Sequence, residues 1–140
     1  MAAAQDRNAT LVATFLDALA RADLAAIGHL LARDAVWHEP GTSPMAGDHE
    51  GRGRILRHLI DVAQLTGRTF KFEPREVAPT GEFVVARGRA VGGGNGHHLD
   101  VQGCLIFRIA EGKVAEMWSS VSDLAAFEEY WWSHCRREAG

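Results

Sequence analysis

The sequence predicts an α+β fold, in which a curved mixed or antiparallel sheet wraps around the N-terminal helices. Three observations predict it. Apolar residues recur at helical spacing before residue 67, strand-like alternation dominates residues 69–121, and short turn-type segments join the later strands. A length of 140 residues suffices for one core, so we expect a single domain spanning residues 1–140.

Four helices are predicted from apolar spacing and capping residues. Residues 9–19 carry apolar side chains at i, i+4 and i+8, and Asp23 can cap a second, short helix. A third helix is expected to stop at Gly67. Ser122 and Asp123 can cap the last helix.

Five strands are predicted. The first, residues 35–39, ends at Pro40-Gly41, and the loop after it is expected to run straight into the third helix. The others, joined by hairpin-type turns, cover residues 69–77, 82–91, 97–109 and 113–121. The glycines of residues 92–96 join two strands, and no helix follows them. They therefore form a hairpin tip rather than a phosphate-binding loop.

Composition excludes several classes of partner. The net charge is −3 and the arginines form no basic stripe, so we expect no nucleic acid partner. No run approaches the ~18 apolar residues of a membrane span, and the start of the chain lacks a signal-peptide core. Cys104 and Cys135 match no metal or redox spacing. We therefore expect a reduced, soluble, cytoplasmic protein without membrane contact.

The end of the first strand carries the first candidate site residues, His38 and Glu39. A strand end beside a loop is a common place for reactive side chains. Strand alternation puts His38 on one face, and Trp37 and Glu39 on the other, so only one set can face the interior. Because histidine titrates near neutrality whereas glutamate needs an apolar wall to act as a base, His38 is favoured and Glu39 is the alternative.

The strand at residues 97–109 has one apolar and one polar face. The apolar face by default meets the core, and the polar face meets solvent or a partner subunit. The second set is His98, Asp100, Gln102, Cys104 and Ile106.

Short motifs along nearly the whole chain occur in a recognisable order. They are Phe15 to Leu19, Asp23 to Ile27, Asp34 to Gly41, Gly51-Arg52 and Phe107 to Val114, followed by Trp118 and Asp123. In this order the chain resembles the nuclear transport factor 2-like superfamily, and within it the SnoaL-like polyketide cyclases and ketosteroid isomerase-like proteins.

The resemblance implies a cone with an internal cavity between the sheet and the helices, usually in a homodimer. Such enzymes use buried acids and bases on small apolar molecules, with no metal or organic cofactor. The same fold also hosts non-catalytic binders, so function has to be argued from the site.

Two chemistries of related enzymes are disfavoured. The tyrosine and the late-strand acid that serve as oxyanion donors in steroid isomerases correspond to Phe15 and Cys104, while the base position falls on Glu39. The arginine of limonene-type epoxide hydrolases could match Arg87. However, one carboxylate of that relay falls on Ser120 and the other on a glycine or arginine, so no base is left to activate water.

The resemblance places a different set of groups in the cavity. If Cys104 faces inward, as the isomerase alignment implies, Gln102 and Asp100 do too, and Asp100 can orient His38. Asp123 matches the acid of the cyclases, although it can equally be the helix cap. The residues expected to line the pocket are Phe15, Trp37, Arg87, Gln102, Cys104, Trp118 and Ser120.

The remaining aromatic and histidine residues indicate no further site. The histidines at positions 29, 49, 58 and 134 lack metal-site spacing, so no metal is expected. Tyr130, Trp131 and Trp132 are expected to provide packing or dimer contacts.

Two hypotheses follow. The first is a cofactor-independent SnoaL-like enzyme that moves a proton on a small, largely apolar natural-product or steroid-like molecule, in a cyclisation, isomerisation or elimination. In it His38 is the base, Asp100 orients it and Asp123 is a second acid. The second is a module of the same fold that binds a small ligand, or pairs with another chain, without chemistry.

Overall fold

The computed structural model describes residues 2–139, and their side chains as far as residue 136. The elements are α1 (Ala2–Ala20), α2 (Leu24–Leu30), β1 (Leu31–Glu39), β2 (Gly47–Glu50), α3 (Arg52–Thr66), β3 (Lys71–Thr80), β4 (Phe83–Gly92), β5 (Leu99–Ala110), β6 (Lys113–Val121) and α4 (Leu124–Ala139). This is the predicted α+β order with one additional strand. Among the described residues, no helix is both long enough and apolar enough to span a bilayer.

The six strands form one curved, mixed sheet in the order β2-β1-β6-β5-β4-β3. β1 runs parallel to β6, and all other neighbouring strands are antiparallel. Pro74, which has no N–H to donate to a ladder, lies in edge strand β3 beside a register shift. The β1–β6 pairing brings the end of β1 next to the late strands, with His38 opposite Trp118.

Helix ends follow the predicted capping signals. Asp23 Oδ1 accepts a hydrogen bond from the Ala26 N–H at 3.1 Å, and Gly67 ends α3 in the left-handed region at φ 61°.

The predicted start of β1 and the predicted loop before α3 are wrong. β1 begins at Leu31 rather than residue 35, because Leu31 already pairs with Val114 of β6. The loop before α3 contains β2, which pairs with the end of β1.

Two apolar cores lie on the inner face of the sheet, the face toward the helices. In the first, Phe15 of α1 meets Phe107 of β5 edge to face, with ring centroids 5.5 Å apart. The second consists of Val62, Ala90, Leu99, Val101, Phe127, Tyr130 and Trp131. Each fully buried side chain of this size contributes about 1.5–3 kcal/mol of transfer free energy.

α4 packs over one end of the space between helices and sheet. Its residues Phe127, Tyr130 and Trp131 are at most 3% exposed, and Phe70 contacts all three rings. Side chains of α4 therefore occupy this end of the hollow that the resemblance implies.

Candidate active site

At the end of β1, neighbouring residues lie on opposite faces of the sheet, as predicted. Trp37 and Glu39 face the helices, whereas His38 faces outward. Trp37 is 5% exposed, and its indole N–H donates to Ser119 Oγ of β6 at 2.8 Å. One strand thus supplies a polar residue to each of two separate clusters.

The outer cluster consists of His38, Asp48 and Glu116. His38 Nδ1 lies 2.7 Å from Asp48 Oδ1, and Nε2 lies 2.6 Å from Glu116 Oε2. The imidazole stacks on Trp118 with centroids 5.4 Å apart. Burial alone would lower the pKa of His38, but the hydrogen bonds with the two carboxylates outweigh burial and raise the pKa. The His38 side chain is 29% exposed, so the outer cluster is at the surface.

The structure does not bring His38 and Asp100 together, so the predicted dyad is wrong. Both residues lie on the outer face of the sheet, but His38 is opposite Trp118, which is opposite Ile106, six residues along β5 from Asp100. Asp100 instead accepts from Arg89 Nε at 2.8 Å. Gln102 and Cys104 share this outer face, because the buried positions of β5 are the alternate ones. The default interpretation of β5 was correct, and the alignment to the isomerase site was misleading.

Most residues expected to line the pocket lie elsewhere. Arg87 is on the outer face and pairs with a carboxylate of β3, Trp118 lies under His38, and Ser120 is exposed. Phe15 is completely buried in the first apolar core. Among these residues, Trp37 alone contacts a buried ionisable side chain, that of His58.

Asp123 has the structural role that the sequence left open. Its Oδ1 accepts from the Ala126 N–H at 3.0 Å, which makes it the N-cap of α4. The side chain is exposed, so Asp123 does not face the interior.

The inner cluster consists of Glu39, His58 and His49, from β1, α3 and β2. His58 Nε2 lies 3.0 Å from Glu39 Oε2, and the His49 ring stacks on the His58 ring with centroids 3.8 Å apart. Trp37 packs edge-on against His58 at 5.6 Å. The side chains of His58 and Glu39 are 3% and 11% exposed. A carboxylate and an imidazole are thus paired almost out of contact with solvent.

This polar cluster lies between the two apolar cores. On α3, Ile55 belongs to the first core and Val62 to the second, and His58 is between them on the same buried face. Glu39 is two residues beyond Trp37, which belongs to the first core. The flanking apolar groups give the inner cluster a low-dielectric surrounding, in which charge interactions are stronger than in water.

One oxygen of Glu39 has no partner. Within the described residues, Oε1 is the single buried side-chain polar atom to which no protein group donates. Leaving a buried acceptor without a hydrogen bond costs about 1–3 kcal/mol, and more for a charged group. Such groups are few in native proteins, and a catalytic role is one of the explanations for them.

His49 is held in a neutral form. Burial lowers the pKa of His49, and the charge on neighbouring His58 lowers it further. Its Nε2 lies 3.2 Å from the Met45 carbonyl oxygen. Because a carbonyl can only accept, Nε2 carries the proton and Nδ1 is the basic nitrogen.

Sequence reasoning missed His49 and His58. A signal for His58 was present, since it lies three residues after Ile55 and four before Val62, on the apolar stripe of α3. No such signal exists for His49, because its four-residue strand is too short and too polar to show apolar alternation.

The inner cluster does not resemble a metal site. Among the described residues, no group of three or more His, Cys, Asp or Glu side chains is placed to hold a metal ion. The rings of His49 and His58 are inclined by only 21°, so their in-plane nitrogen lone pairs do not converge.

Two surface depressions lie on the outer side of β1, away from the inner cluster. One, of about 760 Å³, is lined by Arg33, Asp34, Val36, Glu50 and Gly51. The other, of about 300 Å³, shares Asp34 and Val36 with it. Neither contains Glu39 or His58, so neither is a route to that pair as the chain stands.

Residues 12–117 match the model of the SnoaL-like domain. The chain belongs to the SnoaL-like domain family. Among solved structures, it is similar to Bal32a from a soil-derived mobile gene cassette, with 31% identity, a TM-score of 0.88, and coverage of 91% of this chain and 98% of Bal32a. The predicted nuclear transport factor 2-like fold is confirmed.

Solved structures of lower sequence identity share the fold. TerC, co-crystallized with polyporic acid, is 22% identical, with a TM-score of 0.78 over 88% of this chain and 96% of TerC. A provisionally named polyketide cyclase from Sinorhizobium meliloti is 23% identical, with a TM-score of 0.66 over 79% of this chain and 94% of that one. A search of curated proteins gives no match.

Proposed function

We propose that this SnoaL-like protein is an enzyme that moves a proton on a small, largely apolar molecule, with Glu39 as the base. The observation that supports this most is the half-satisfied carboxylate, in which Oε2 is held by His58 at 3.0 Å and Oε1 is buried without a donor. A C–H or O–H acid of a bound molecule would supply the missing partner.

The chemistry needs no co-reactant. Oε1 takes a proton from one atom of the substrate, so the carboxylate becomes a carboxylic acid, and it then returns the proton to another atom of the same molecule. His58 keeps Oε2 in place throughout. Cyclisation, isomerisation and elimination all include such a transfer.

The interior favours a neutral ligand. The buried polar side chains among the described residues are Ser43, His58, Thr66, Ser133 and His134, with no lysine or arginine. An anionic ligand would add a second negative charge beside the Glu39 carboxylate, and no buried lysine or arginine among the described residues would balance it. The aromatic rings of α4 and Phe70 offer apolar contact area.

Entry requires movement of the protein. Phe127, Tyr130 and Trp131 fill the space at the α4 end, so a ligand that reaches Glu39 has to displace part of the second apolar core. We therefore expect bound ligand to change the exchange protection of α4 amides.

A binding module without chemistry is the second candidate. The isomerase alignment matches Phe15 and Cys104 to oxyanion donors, but Phe15 lies in the first apolar core and Cys104 lies on the outer face. Neither residue can stabilise charge that develops on a substrate beside Glu39.

One experiment separates the candidates. Neutral aromatic ketones and phenols, with their carboxylate analogues as matched controls, are screened for thermal stabilisation, and the stabilising compounds are followed for turnover by mass spectrometry and deuterium exchange. We expect neutral compounds to stabilise more and to incorporate solvent deuterium. Glu39→Gln should reduce the rate by at least about 100-fold.

Glu116→Gln, which alters an outer carboxylate, is the control and should retain the rate. Stabilisation without turnover would favour the binding module. Unchanged turnover in Glu39→Gln would overturn the proposed base.

We also propose that a second copy of the chain packs against the apolar part of the outer face of the sheet. Phe83, Ile106 and Trp118 are half-buried neighbours on β4, β5 and β6, and the rings of Phe83 and Trp118 lie 6.2 Å apart. Light scattering should give twice the chain mass of 15.2 kDa, and Ile106→Glu should halve it. A monomeric wild-type protein would refute this.

A further inference from the structure

The segment of residues 40–46, here called the strap, joins two members of the inner cluster. It leaves β1 directly after Glu39 and enters β2 two residues before His49. The strap therefore connects Glu39 to the strand that carries His49.

On the side toward α4, the strap is held by one carboxylate of that helix. Glu128 Oε2 accepts from the Thr42 N–H and the Thr42 hydroxyl, each at 2.8 Å, and Oε1 accepts from the Ser43 N–H at 3.3 Å. Burial alone would raise the pKa of Glu128, but these hydrogen bonds outweigh burial and lower the pKa. The carboxylate is thus ionised at neutral pH, when it is the stronger acceptor.

The approach of the two segments depends on a glycine. A Cβ atom at Gly41 would overlap the Glu128 carboxylate, and Gly41 has φ +102°, a conformation that other residues rarely adopt. Gly41 therefore allows the strap to lie close to α4.

The inner side of the strap holds His49. The Met45 carbonyl accepts from His49 Nε2, and Ser43, only 5% exposed, accepts from the Met45 N–H through its Oγ at 3.3 Å. A chain of contacts thus runs from Glu128 through Ser43 and Met45 to the imidazole that stacks on His58.

We propose that Glu128 is a positioning residue, which latches the strap to α4 and thereby fixes the tautomer of His49 in the inner cluster. This rests on the proposed function of that cluster. When the latch opens, the strap is released from α4 and the Met45 carbonyl is free to leave His49. The movement that gives access to Glu39 would then also change which nitrogen of His49 carries the proton.

The latch can be tested without substrate, so its failure is distinguishable from failure of the proposed enzyme. The variants are Glu128→Ala and the milder Thr42→Val, with Glu129→Gln on the exposed side of the same helix as control. Amide hydrogen exchange reports on Thr42, Ser43, Met45 and Ala46, since Pro44 has no N–H. The ¹⁵N shifts of the His49 ring report on its tautomer.

We expect Glu128→Ala to speed exchange of the strap amides by at least about tenfold, since hydrogen bonds to a charged group are among the stronger ones. The His49 ring should lose its preference for a proton on Nε2. Thr42→Val should cause smaller changes in the same direction, and Glu129→Gln none. If Glu128→Ala does not fold, the exchange rates and the His49 tautomer of Thr42→Val test the proposal. Wild-type exchange and an unchanged tautomer in the folded variants would overturn the proposal.

Discussion

Two histidine–carboxylate clusters share one end of β1 and differ in almost every physical respect. The outer cluster holds His38 between two carboxylates at the surface, whereas the inner cluster holds His58 against one carboxylate between two apolar cores. Only the inner cluster leaves a buried oxygen without a donor. Solvated ion pairs whose hydrogen bonds are all made stabilise the fold little and leave no acceptor for a ligand. A buried carboxylate oxygen without a donor can still accept a hydrogen bond from a ligand.

The largest expected difference between the clusters is in stability. His58→Ala leaves the Glu39 carboxylate buried and unpaired and also creates a cavity, so the free energy of unfolding should fall by about 3–5 kcal/mol. His38→Ala removes a surface pair and should cost at most about 1 kcal/mol. Urea unfolding measures both. Equal losses would mean that the two clusters are energetically alike.

A smaller effect, of opposite sign, is expected at Glu39. Glu39→Gln replaces an unpartnered anionic oxygen by a neutral amide while retaining an acceptor for His58. The free energy of unfolding at pH 7 should therefore rise by about 1 kcal/mol. The outer change Glu116→Gln should lower it slightly, because that carboxylate pairs with both His38 and Arg108. A clear loss of stability in Glu39→Gln would argue for a purely structural role.

The pH dependence of stability should also separate the clusters. The pKa of His38 is raised in the folded state, so its contribution is fully present below the unfolded value of about 6.5 and is lost as pH rises through the raised value. The pKa of His49 is lowered, so its contribution is present above about 6.5 and is lost as pH falls toward the lowered value.

The corresponding variants act on opposite limbs of the pH–stability curve. His38→Gln should flatten the alkaline side, and His49→Gln the acidic side, in urea titrations repeated from pH 5 to pH 9. If both variants changed the same limb, the assignment of one pKa direction would be refuted.

The smallest effect is expected within the outer cluster. Asp48→Asn removes one of the charges that favour protonated His38, so the pKa of His38 should fall toward its ordinary value while stability changes by no more than about 0.5 kcal/mol, since Asp48 is 59% exposed. NMR titration of the ring protons measures the shift. An unchanged His38 titration would show that Glu116 alone sets it.

The sequence was sufficient to predict the order of the main helices and strands and part of the site. Capping by Asp23 and Asp123 and the buried face of β5 are local properties that alternation and side-chain chemistry determine. β2 was not predicted because its glycine and three polar residues show no apolar alternation and form a strand by pairing with β1. Alternation placed Glu39 and His38 on opposite faces, but it could not say which face was buried.

The inner cluster could not be assembled from sequence, since its members come from three elements. Glu39 and His58 are 19 positions apart, and they meet because α3 lies on the inner face of the sheet. The alignment to the isomerase site also placed Asp100 and Cys104 in the cavity, whereas both side chains face outward. The family resemblance thus predicted the fold and matched the isomerase base to Glu39 of the inner cluster, but it misplaced Asp100 and Cys104.

The most direct test of the inner cluster as the functional site is an NMR titration of the histidine rings with a neutral aromatic compound that stabilises the protein. If the ligand binds beside Glu39, the ring resonances of His49 and His58 will shift with saturation while those of His38 stay unchanged. Saturable shifts of His38 alone, with His49 and His58 unaffected, would contradict the assignment and move the site to the outer face.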